Sequence, residues 1–346
     1  MFSLAYLEQE STSVLPDHIW NVAWSSSNKI ISASADGHLR IWDADELTKP
    51  VYDISSHPLA ISSLSINKNG HHALAASLDG TIVLVDCENG IELGRVDTGR
   101  EEIIDGGHKI PAFSCALHPQ STCFAWSGRS SKIGFSTIPG GDTLTELGNN
   151  GNNTGRGVFT RESKAIESSK GKFGMDLQFS PDGRSLALST EQGQVVIVDV
   201  ESQAVVATYS SHNKAVRTIS WSPDSQWLFS GADDNLIVLY DVRAGSQSDT
   251  GGKGEGAVAV MQGHQSWVLK VAASPDSKLL GSGGADKVIK LWDIGQRSCV
   301  STSAANAEVW SFAWQPEGAT SLAPGKQFAV AGDDNIVTLY RAAGAA

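Results

Sequence analysis

Short runs of alternating apolar residues, each introduced by a turn that contains Asp, recur along the chain. Residues 284–293 read Gly-Ala-Asp-Lys-Val-Ile-Lys-Leu-Trp-Asp, and the same order recurs at 34–43, 77–86, 232–241 and 332–341. An Asp stands seven residues before the last position each time. Because an Asp side chain can bond nearby backbone amides and hold a tight turn, and alternation is typical of a strand, each segment predicts a β-hairpin.

A second alternating strand precedes these hairpins. Residues 216–224 read Val-Arg-Thr-Ile-Ser-Trp-Ser-Pro-Asp, and residues 174–181 and 268–275 match them. A His stands at a fixed distance before this strand, so that His and turn Asp recur together. A catalytic site is normally one constellation rather than a motif repeated along a chain, so we expect each His to bond its Asp and join two loops. The pairs are His57–Asp79, His212–Asp234 and His264–Asp286.

Seven copies of this unit are present, and a fixed period predicts a repeat architecture. The His position holds Leu15 in the first copy, Lys170 in the fourth and Ala305 in the seventh, while Arg129 and Gln192 replace the turn Asp in the third and fourth. We expect each such copy to lose one turn bond, worth about 1 kcal/mol. The copies span residues 12–52, 53–97, 105–147, 165–209, 210–262, 263–303 and 304–341.

The unit resembles the WD repeat, which has Gly-His near its start and Trp-Asp near its end. Gly263-His264, Trp42-Asp43 and Trp292-Asp293 are full matches. The resemblance implies an all-β fold, a seven-bladed WD-repeat β-propeller, as a single domain over residues 1–346 with surface loops at about 148–171 and 244–257. Only five residues follow Arg341, so we expect the alternating run from Phe2 to Leu7 to close the last blade and remove its exposed edge.

Composition narrows the function. The formal net charge is −12, which argues against direct nucleic-acid binding, because phosphate contacts need Lys and Arg. A basic start followed by an apolar stretch is missing from the N-terminus, and no apolar run reaches 18 residues, so we expect no signal peptide and no membrane contact. The four cysteines form no Cys-x-x-Cys pair, and no nucleophile elbow is present, so we predict no metal, no cofactor and no enzyme activity.

One face of the propeller is the candidate binding site. In WD propellers, the third and fifth residues after the His position and the residue before the turn Asp open around the central channel. Aromatic side chains beside Arg and carboxylates are typical of binding hot spots, and this mixture favours a short peptide with an Arg or Lys and an aromatic or aliphatic residue. The alternative is that the rings pack between blades. The selected residues are His18, Trp20, Phe113, Phe173, Met175, Glu191, Arg217, Asp233, Trp267, Leu269, Glu308, Trp310 and Asp333.

Three longer strings, residues 18–24, 263–272 and 288–300, resemble the WD-repeat subunit of the superkiller (Ski) complex of fungal type. That resemblance implies a non-catalytic scaffold that binds a tetratricopeptide-repeat scaffold protein and an RNA helicase, and so supports exosome-dependent 3′-to-5′ decay of mRNA in the cytoplasm. It also implies nuclear roles, in transcription elongation or meiotic recombination. Two alternatives stay open: an adaptor that reads histone tails through an acidic pocket, and a substrate receptor of a ubiquitin ligase.

Overall fold

Seven four-stranded antiparallel sheets form a closed ring. The computed structural model describes residues 6–99, 110–129, 132–138, 163–167, 173–244 and 256–343. The first strand of each sheet contacts the first strands of the two neighbouring sheets, and the seventh contacts the first, which closes the circle. The sheets are therefore the blades of the seven-bladed propeller that the repeats predict, and the prediction is confirmed.

Each blade has an inner strand, two middle strands and an outer strand. The strands of blade one are β2 (Ile19–Trp24), β3 (Lys29–Ser34), β4 (His38–Asp43) and β5 (Tyr52–Ser55). Those of blade two are β6 (Ile61–Ile66), β7 (His72–Ser77), β8 (Thr81–Asp86) and β9 (Ile91–Asp97). Those of blade three are β10 (Ala112–Leu117), β11 (Cys123–Gly128), β12 (Lys132–Thr137) and β13 (Ser163–Glu167).

The remaining blades follow the same order. Blade four has β14 (Gly174–Phe179), β15 (Ser185–Thr190), β16 (Val195–Asp199) and β17 (Ala204–Tyr209). Blade five has β18 (Val216–Trp221), β19 (Trp227–Ala232), β20 (Leu236–Asp241) and β21 (Ala257–Gln262), with a short 3₁₀ helix at Val242–Ala244. Blade six has β22 (Val268–Ala273), β23 (Leu279–Gly284), β24 (Val288–Asp293) and β25 (Ser298–Ala304).

Blade seven joins the two ends of the chain. Its strands are β26 (Val309–Trp314), β27 (Gln327–Gly332), β28 (Val337–Ala342) and β1 (Tyr6–Glu10). β1 pairs antiparallel with β28, from Tyr6 opposite Ala342 to Glu10 opposite Thr338. The predicted closure by the N-terminal strand is confirmed, and the paired residues begin at Tyr6; residues 1–5 lie outside the described part of the chain.

The insertion in blade three lies elsewhere than the repeat spacing predicts. The sequence placed a loop at about 148–171 after the third copy, whereas Ser163–Glu167 is the outer strand of blade three and pairs with β12. The extra residues therefore lie between the third and fourth strands of that blade in the sequence. The apolar Ile166 of β13 is buried in the core, as expected for a strand of this blade. Residues 139–162 and 168–172 lie outside the described residues, as do 245–255 of the second predicted loop; Ala257 already begins β21.

The core lies between the blades rather than at the channel. Ile133 of blade three, for example, belongs to one buried cluster with Leu177 and Phe179 of blade four. The middle strands are buried on both faces, and every residue of β7 and β8 is buried. The inner strands are therefore free to present side chains to the channel. In the described residues, no helix has the length and apolarity needed to cross a membrane.

Candidate protein-binding site at the channel mouth

A β-bulge occurs at the second residue of the inner strand in every blade. The pairing with the next strand skips that residue, which stays unpaired. A bulge bends the strand and changes the direction of its side chain. All of these side chains line one cavity of about 290 Å³, which we call the channel-mouth pocket. The bulged residues are Trp20, Ser62, Phe113, Met175, Arg217, Leu269 and Trp310.

Apolar side chains form most of the pocket wall. Trp20 and Trp310, from blades one and seven, lie with ring centroids 6.4 Å apart. Nε1 of Trp310 is buried and bonds no other group among the described residues. Leu269 is only 5% exposed, so this residue is less open to solvent than the sequence predicts. The wall is thus a mostly apolar surface.

Arg217 is one of two positive groups that line the pocket, with Lys270, and two neighbours hold it. Nη2 of Arg217 donates to Oδ2 of Asp233 at 3.0 Å, and Nε donates to Oδ1 of the same carboxylate. Its guanidinium carbon lies 4.6 Å from the ring centroid of Trp267. Trp267 is 44% exposed and is the most exposed aromatic residue of the site. The sequence predicted all three residues separately, and the structure assembles them into one unit.

The other predicted residues surround the pocket. Phe173 contacts Phe113 edge to face, with centroids 4.9 Å apart, and Oε1 of Glu191 accepts the backbone N–H of Phe173 at 3.1 Å. On the opposite side, Nδ1 of His18 lies 3.4 Å from a carboxylate oxygen of Asp333. The backbone N–H of Asp333 donates to the carbonyl of Glu308. Of the thirteen residues selected from the sequence, six line the pocket and seven stand around it.

Several pocket residues were missed by the sequence analysis. Asn21, Ser63, Asp176 and Lys270 each follow a bulged residue, and Leu78 precedes the turn Asp of blade two; all line the pocket. A strand normally turns successive side chains to opposite faces, and the bulge suspends that rule, so consecutive residues reach the channel. Asp176 is fixed, since its Oδ2 accepts the N–H of Ile219 at 2.9 Å. The bulge depends on strand pairing, so the sequence alone did not indicate the residues that follow it.

The His–Asp pairs of blades five and six hold their turns together. Nδ1 of His212 lies 3.0 Å from Asp234, and Nδ1 of His264 lies 3.0 Å from Asp286. The other ring nitrogen of His264 bonds the Ser282 hydroxyl at 2.8 Å. Both imidazoles have no exposed surface, and burial lowers the pKa of His264. These groups are closed to a substrate and serve the fold.

The third pair, His57–Asp79, is wrong as predicted. Within the described residues, Nδ1 of His57 bonds the Ser56 hydroxyl at 2.8 Å, while Asp79 accepts the backbone N–H of Thr81. In blade six the imidazole is also anchored by a serine eighteen residues further on. Ala75 holds that place in blade two and offers no hydroxyl. His57 therefore bonds Ser56, the preceding residue in the chain.

Blade one also departs from expectation, because it does not simply lose a turn bond at Leu15. Arg40 takes the role of the missing His. Its guanidinium donates to Asp36 at 2.7 Å, to the Ser34 hydroxyl at 2.7 Å and to Asp53 at 3.1 Å. The same bonds hold the pKa of Asp36 below its usual value even though burial opposes them. The turn of this blade is bound to its outer strand by an ion-pair network.

Comparison with known proteins agrees with this geometry. The family described as WD domain, G-beta repeat matches residues 9–43, 48–86, 203–241 and 256–293, and the WD40 domain of anaphase-promoting complex subunit 4 matches residues 156–221. This chain is a WD-repeat protein. The β-propeller domain of Cps50 (Swd1) from Myceliophteria thermophila superposes with a TM-score of 0.74 over 97% of this chain and 99% of that one; at 15% identity the likeness shows the fold alone.

Sequence relatives cover different shares of the WD-repeat chain. The meiotic recombination protein rec14 of Schizosaccharomyces pombe is 28% identical over 90% of this chain and 89% of its own. WD repeat-containing protein SL1-17 of Schistosoma mansoni is 29% identical over 66% of this chain and 67% of its own. The DDB1- and CUL4-associated factor 11 homolog of Caenorhabditis briggsae is 28% identical over 47% of this chain and 29% of its own. WD-repeat propellers are typically non-catalytic scaffolds and adaptors, and this chain has the WD-repeat propeller fold.

Proposed function

We propose that this WD-repeat protein is a non-catalytic scaffold that holds a short segment of a partner protein in the channel-mouth pocket. The ring of seven bulged side chains carries the proposal, because it turns one residue of every blade towards a common cavity. These bulged side chains include two indoles, a phenyl ring, a thioether and an isobutyl group, together with one guanidinium. Clusters of this kind dominate the binding energy of protein interfaces.

The chemistry of the pocket favours one kind of segment. Its apolar wall suits an aromatic or aliphatic side chain, which gains by leaving water. Arg217 is already paired with Asp233, so its charge is largely offset, and the lining also holds Lys270 and Asp176, which carry opposite charges. Among the described residues, His18 beside Asp333 is the ion-pair partner found for Glu191, Glu308 and Asp333, so this negative rim favours an Arg or Lys of the partner. The segment therefore combines one apolar anchor with one basic residue.

For the partner, we propose the tetratricopeptide-repeat scaffold protein and the RNA helicase of the superkiller complex. The support is the likeness of residues 18–24, 263–272 and 288–300 to that complex's WD-repeat subunit. In this role the chain supports exosome-dependent 3′-to-5′ mRNA decay in the cytoplasm. A nuclear role in meiotic recombination is a second candidate, favoured by the similarity to rec14 along nine-tenths of the chain.

An affinity capture from native extract, read by mass spectrometry, tests the site and the partner together. The test variant is Trp267→Ala/Arg217→Glu. The chain offers a matched control in a second Trp–Arg stack. The guanidinium carbon of Arg243 lies 5.2 Å from the ring centroid of Trp227, and neither residue lines the pocket. We expect wild type and Trp227→Ala/Arg243→Glu to capture the tetratricopeptide protein and the helicase, and the test variant to lose both.

Other outcomes point to other partners. Capture of recombination proteins favours the second role. Recovery of histones favours the histone reader, and recovery of ubiquitin-ligase subunits favours a substrate receptor, a possibility kept open by the similarity to DDB1- and CUL4-associated factor 11 homolog. Equal capture by wild type and test variant would show that the pocket is not the binding site.

A further inference from the structure

Most neighbouring blades are joined by bonds between their inner strands. An inner strand is the edge of its sheet, so its outward N–H groups need partners from elsewhere. Between blades two and three, Ser63 Oγ accepts the N–H of Cys115 at 3.1 Å, and Ser65 Oγ accepts that of Leu117 at 3.0 Å. We call such a bond, from one inner strand to a side chain of the preceding one, a seam clasp.

Three other seams have clasps at the same positions. Between blades four and five, Asp176 and Gln178 accept the N–H groups of Ile219 and Trp221 at 2.9 and 3.1 Å. Between blades seven and one, Ser311 accepts that of Val22 at 2.8 Å. The clasps between blades five and six run from Val271 to Thr218 at 3.3 Å and from Ala273 to Ser220 at 3.0 Å.

The seam between blades three and four differs. Its clasp positions hold Ser114, whose hydroxyl donates within its own blade to the carbonyl of Ser127, and Ala116, which has no hydroxyl. Facing them, the N–H of Leu177 is bonded to Asp176 in its own strand. Among the described residues, the hydrogen bond that crosses this seam joins Nε2 of His118 and the Gly183 carbonyl, at 3.3 Å, in the turns after the inner strands.

The two remaining seams have shorter cross-links, and between blades one and two Nδ2 of Asn21 also donates to the Ser62 carbonyl at 3.2 Å. Between blades one and two, Glu88 bonds both Lys29 and Ser27 at 2.6 Å. Between blades six and seven, Nε1 of Trp314 donates to the Ala272 carbonyl at 2.8 Å. The seam between blades three and four therefore has the weakest polar connection of the seven in the part of the chain that the structure describes.

We propose that the ring opens at the seam between blades three and four, and that a partner segment seated across Phe113 and Met175 holds this seam shut. The opening of the ring at this seam is inferred from the missing clasp. Its closure by a partner segment rests on the proposed function, since Phe113 belongs to blade three and Met175 to blade four, and both line the channel-mouth pocket. Partner binding would then stabilise the whole propeller by closing its weakest seam.

Two native cysteines report on neighbouring seams. Cys123 is buried in the apolar cluster between blades three and four, and Cys115 is buried in the cluster between blades two and three. Burial raises the pKa of Cys123 to about 11 and that of Cys115 to about 12. Because the thiolate is the reactive form, alkylation of either residue requires exposure. Their labelling rates therefore measure the opening of two seams in one molecule.

The test is slow alkylation of the full native chain, with each cysteine followed by peptide mass spectrometry. Ala116→Ser restores a hydroxyl at the clasp position of the seam between blades three and four. We expect Cys123 to react faster than Cys115 in wild type, and Ala116→Ser to slow Cys123 about fivefold, the effect of one neutral hydrogen bond, with Cys115 unchanged. The converse control, Ser65→Ala, should accelerate Cys115 alone.

Several results would overturn the proposal. Equal slowing of both cysteines in Ala116→Ser would indicate global unfolding rather than one opening seam, and an unchanged Cys123 rate would show that the clasp does not control it. If Ala116→Ser fails to fold, acceleration of both cysteines in Ser65→Ala contradicts independent seams. Adding the tetratricopeptide scaffold protein tests whether a partner holds the seam shut. A complex that forms but leaves the Cys123 labelling rate unchanged refutes that part of the proposal. The labelling rates without the partner test the opening of the seam independently.

Discussion

Arg217 and Trp267 form a stacked pair at the channel mouth, with the guanidinium carbon 4.6 Å from the ring centroid. The two residues come from the inner-strand regions of adjacent blades, five and six. Asp233 accepts hydrogen bonds from Nε and Nη2 at the edge of the guanidinium, so the plane of Arg217 is held before any partner arrives. A preorganised aromatic and cationic surface loses little entropy on binding, which makes this pair the natural anchor of the site.

Replacing Trp267 should therefore separate binding from stability. In Trp267→Ala, Arg217 keeps its bonds to Asp233, and we expect the free energy of unfolding to fall by only about 0.5–1 kcal/mol, the value of an exposed cation–π contact. Partner affinity should fall about 30-fold or more, as for a hot-spot tryptophan. Urea denaturation and calorimetric titration measure the two. A loss of stability with intact affinity would place the binding site elsewhere.

The buried histidines should differ in their contribution to stability. His264 bonds both Asp286 and Ser282, so His264→Ala removes two side-chain hydrogen bonds from a buried site, although Asp286 keeps the N–H of Gln265 and Ser282 keeps Nε1 of Trp292. Among the described residues, Nδ1 of His57 bonds the hydroxyl of the adjacent Ser56 and no carboxylate. We expect a loss of about 2–3 kcal/mol for His264→Ala, which loses two hydrogen bonds, one of them to a charged group, and about 1 kcal/mol less for His57→Ala. Equal midpoints in urea for the two variants would contradict this order.

Acid should destabilise the propeller through His57. Burial, with help from the charge of Arg95, lowers the pKa of His57 from 6.5 to about 4. The unfolded chain therefore binds this proton more readily than the folded chain, so the contribution is fully present above about pH 6.5 and is lost as the pH falls towards 4. One pKa unit corresponds to about 1.4 kcal/mol, which limits the loss to about 3 kcal/mol.

The measurement is the urea midpoint at a series of pH values between 7 and 4, compared between wild type and His57→Asn. The asparagine keeps a polar side chain and cannot take up a proton, so its stability should fall less steeply over this range. His264 stays in place in both proteins, and burial lowers its pKa too, so a residual slope is expected. Parallel curves for the two proteins would exclude His57 as the acid-sensitive group.

The fold could be predicted from the sequence, but only part of the channel-mouth pocket could. Periodic turns and the His–Asp spacing are local features, so the seven blades could be counted directly. The bulges are a feature of strand pairing, which no single strand reveals, and for that reason Asp176 and Lys270 were missed while Met175 and Leu269 were found. The end of the third copy was misplaced because an insertion between β12 and β13 broke the repeat period.

Two turn contacts show a further limit. The failure of His57–Asp79 follows from Ala75, a residue on another strand that the His–Asp spacing does not include. The rescue of blade one by Arg40 depends on a side chain reaching across from β4 to Asp36 and Asp53. In both cases the deciding residue lies outside the motif, so the motif alone predicts the position of the turn and not its bonds.

Removal of residues 1–10 should destabilise the whole ring rather than one strand. β1 pairs along its full length with β28. Its side chains add to that pairing, since the Tyr6 hydroxyl donates to the Gly325 carbonyl at 3.0 Å and Tyr340 donates to Glu8 at 3.1 Å. Without β1, the edge of β28 is open, and a closed repeat ring loses its last link. We expect a loss of several kcal/mol, since each hydrogen bond contributes about 1 kcal/mol.

Thermal unfolding followed by circular dichroism checks this expectation, with Leu7→Ser as the matched control. Leu7 is 64% exposed although it belongs to the same strand, so its replacement keeps the backbone pairing with β28. Exposed positions of this kind normally change stability by no more than about 0.5 kcal/mol. The truncated chain should therefore unfold well below both wild type and Leu7→Ser. A truncated chain that matched them would show that three strands suffice for blade seven and that the ring does not depend on its N-terminal strand.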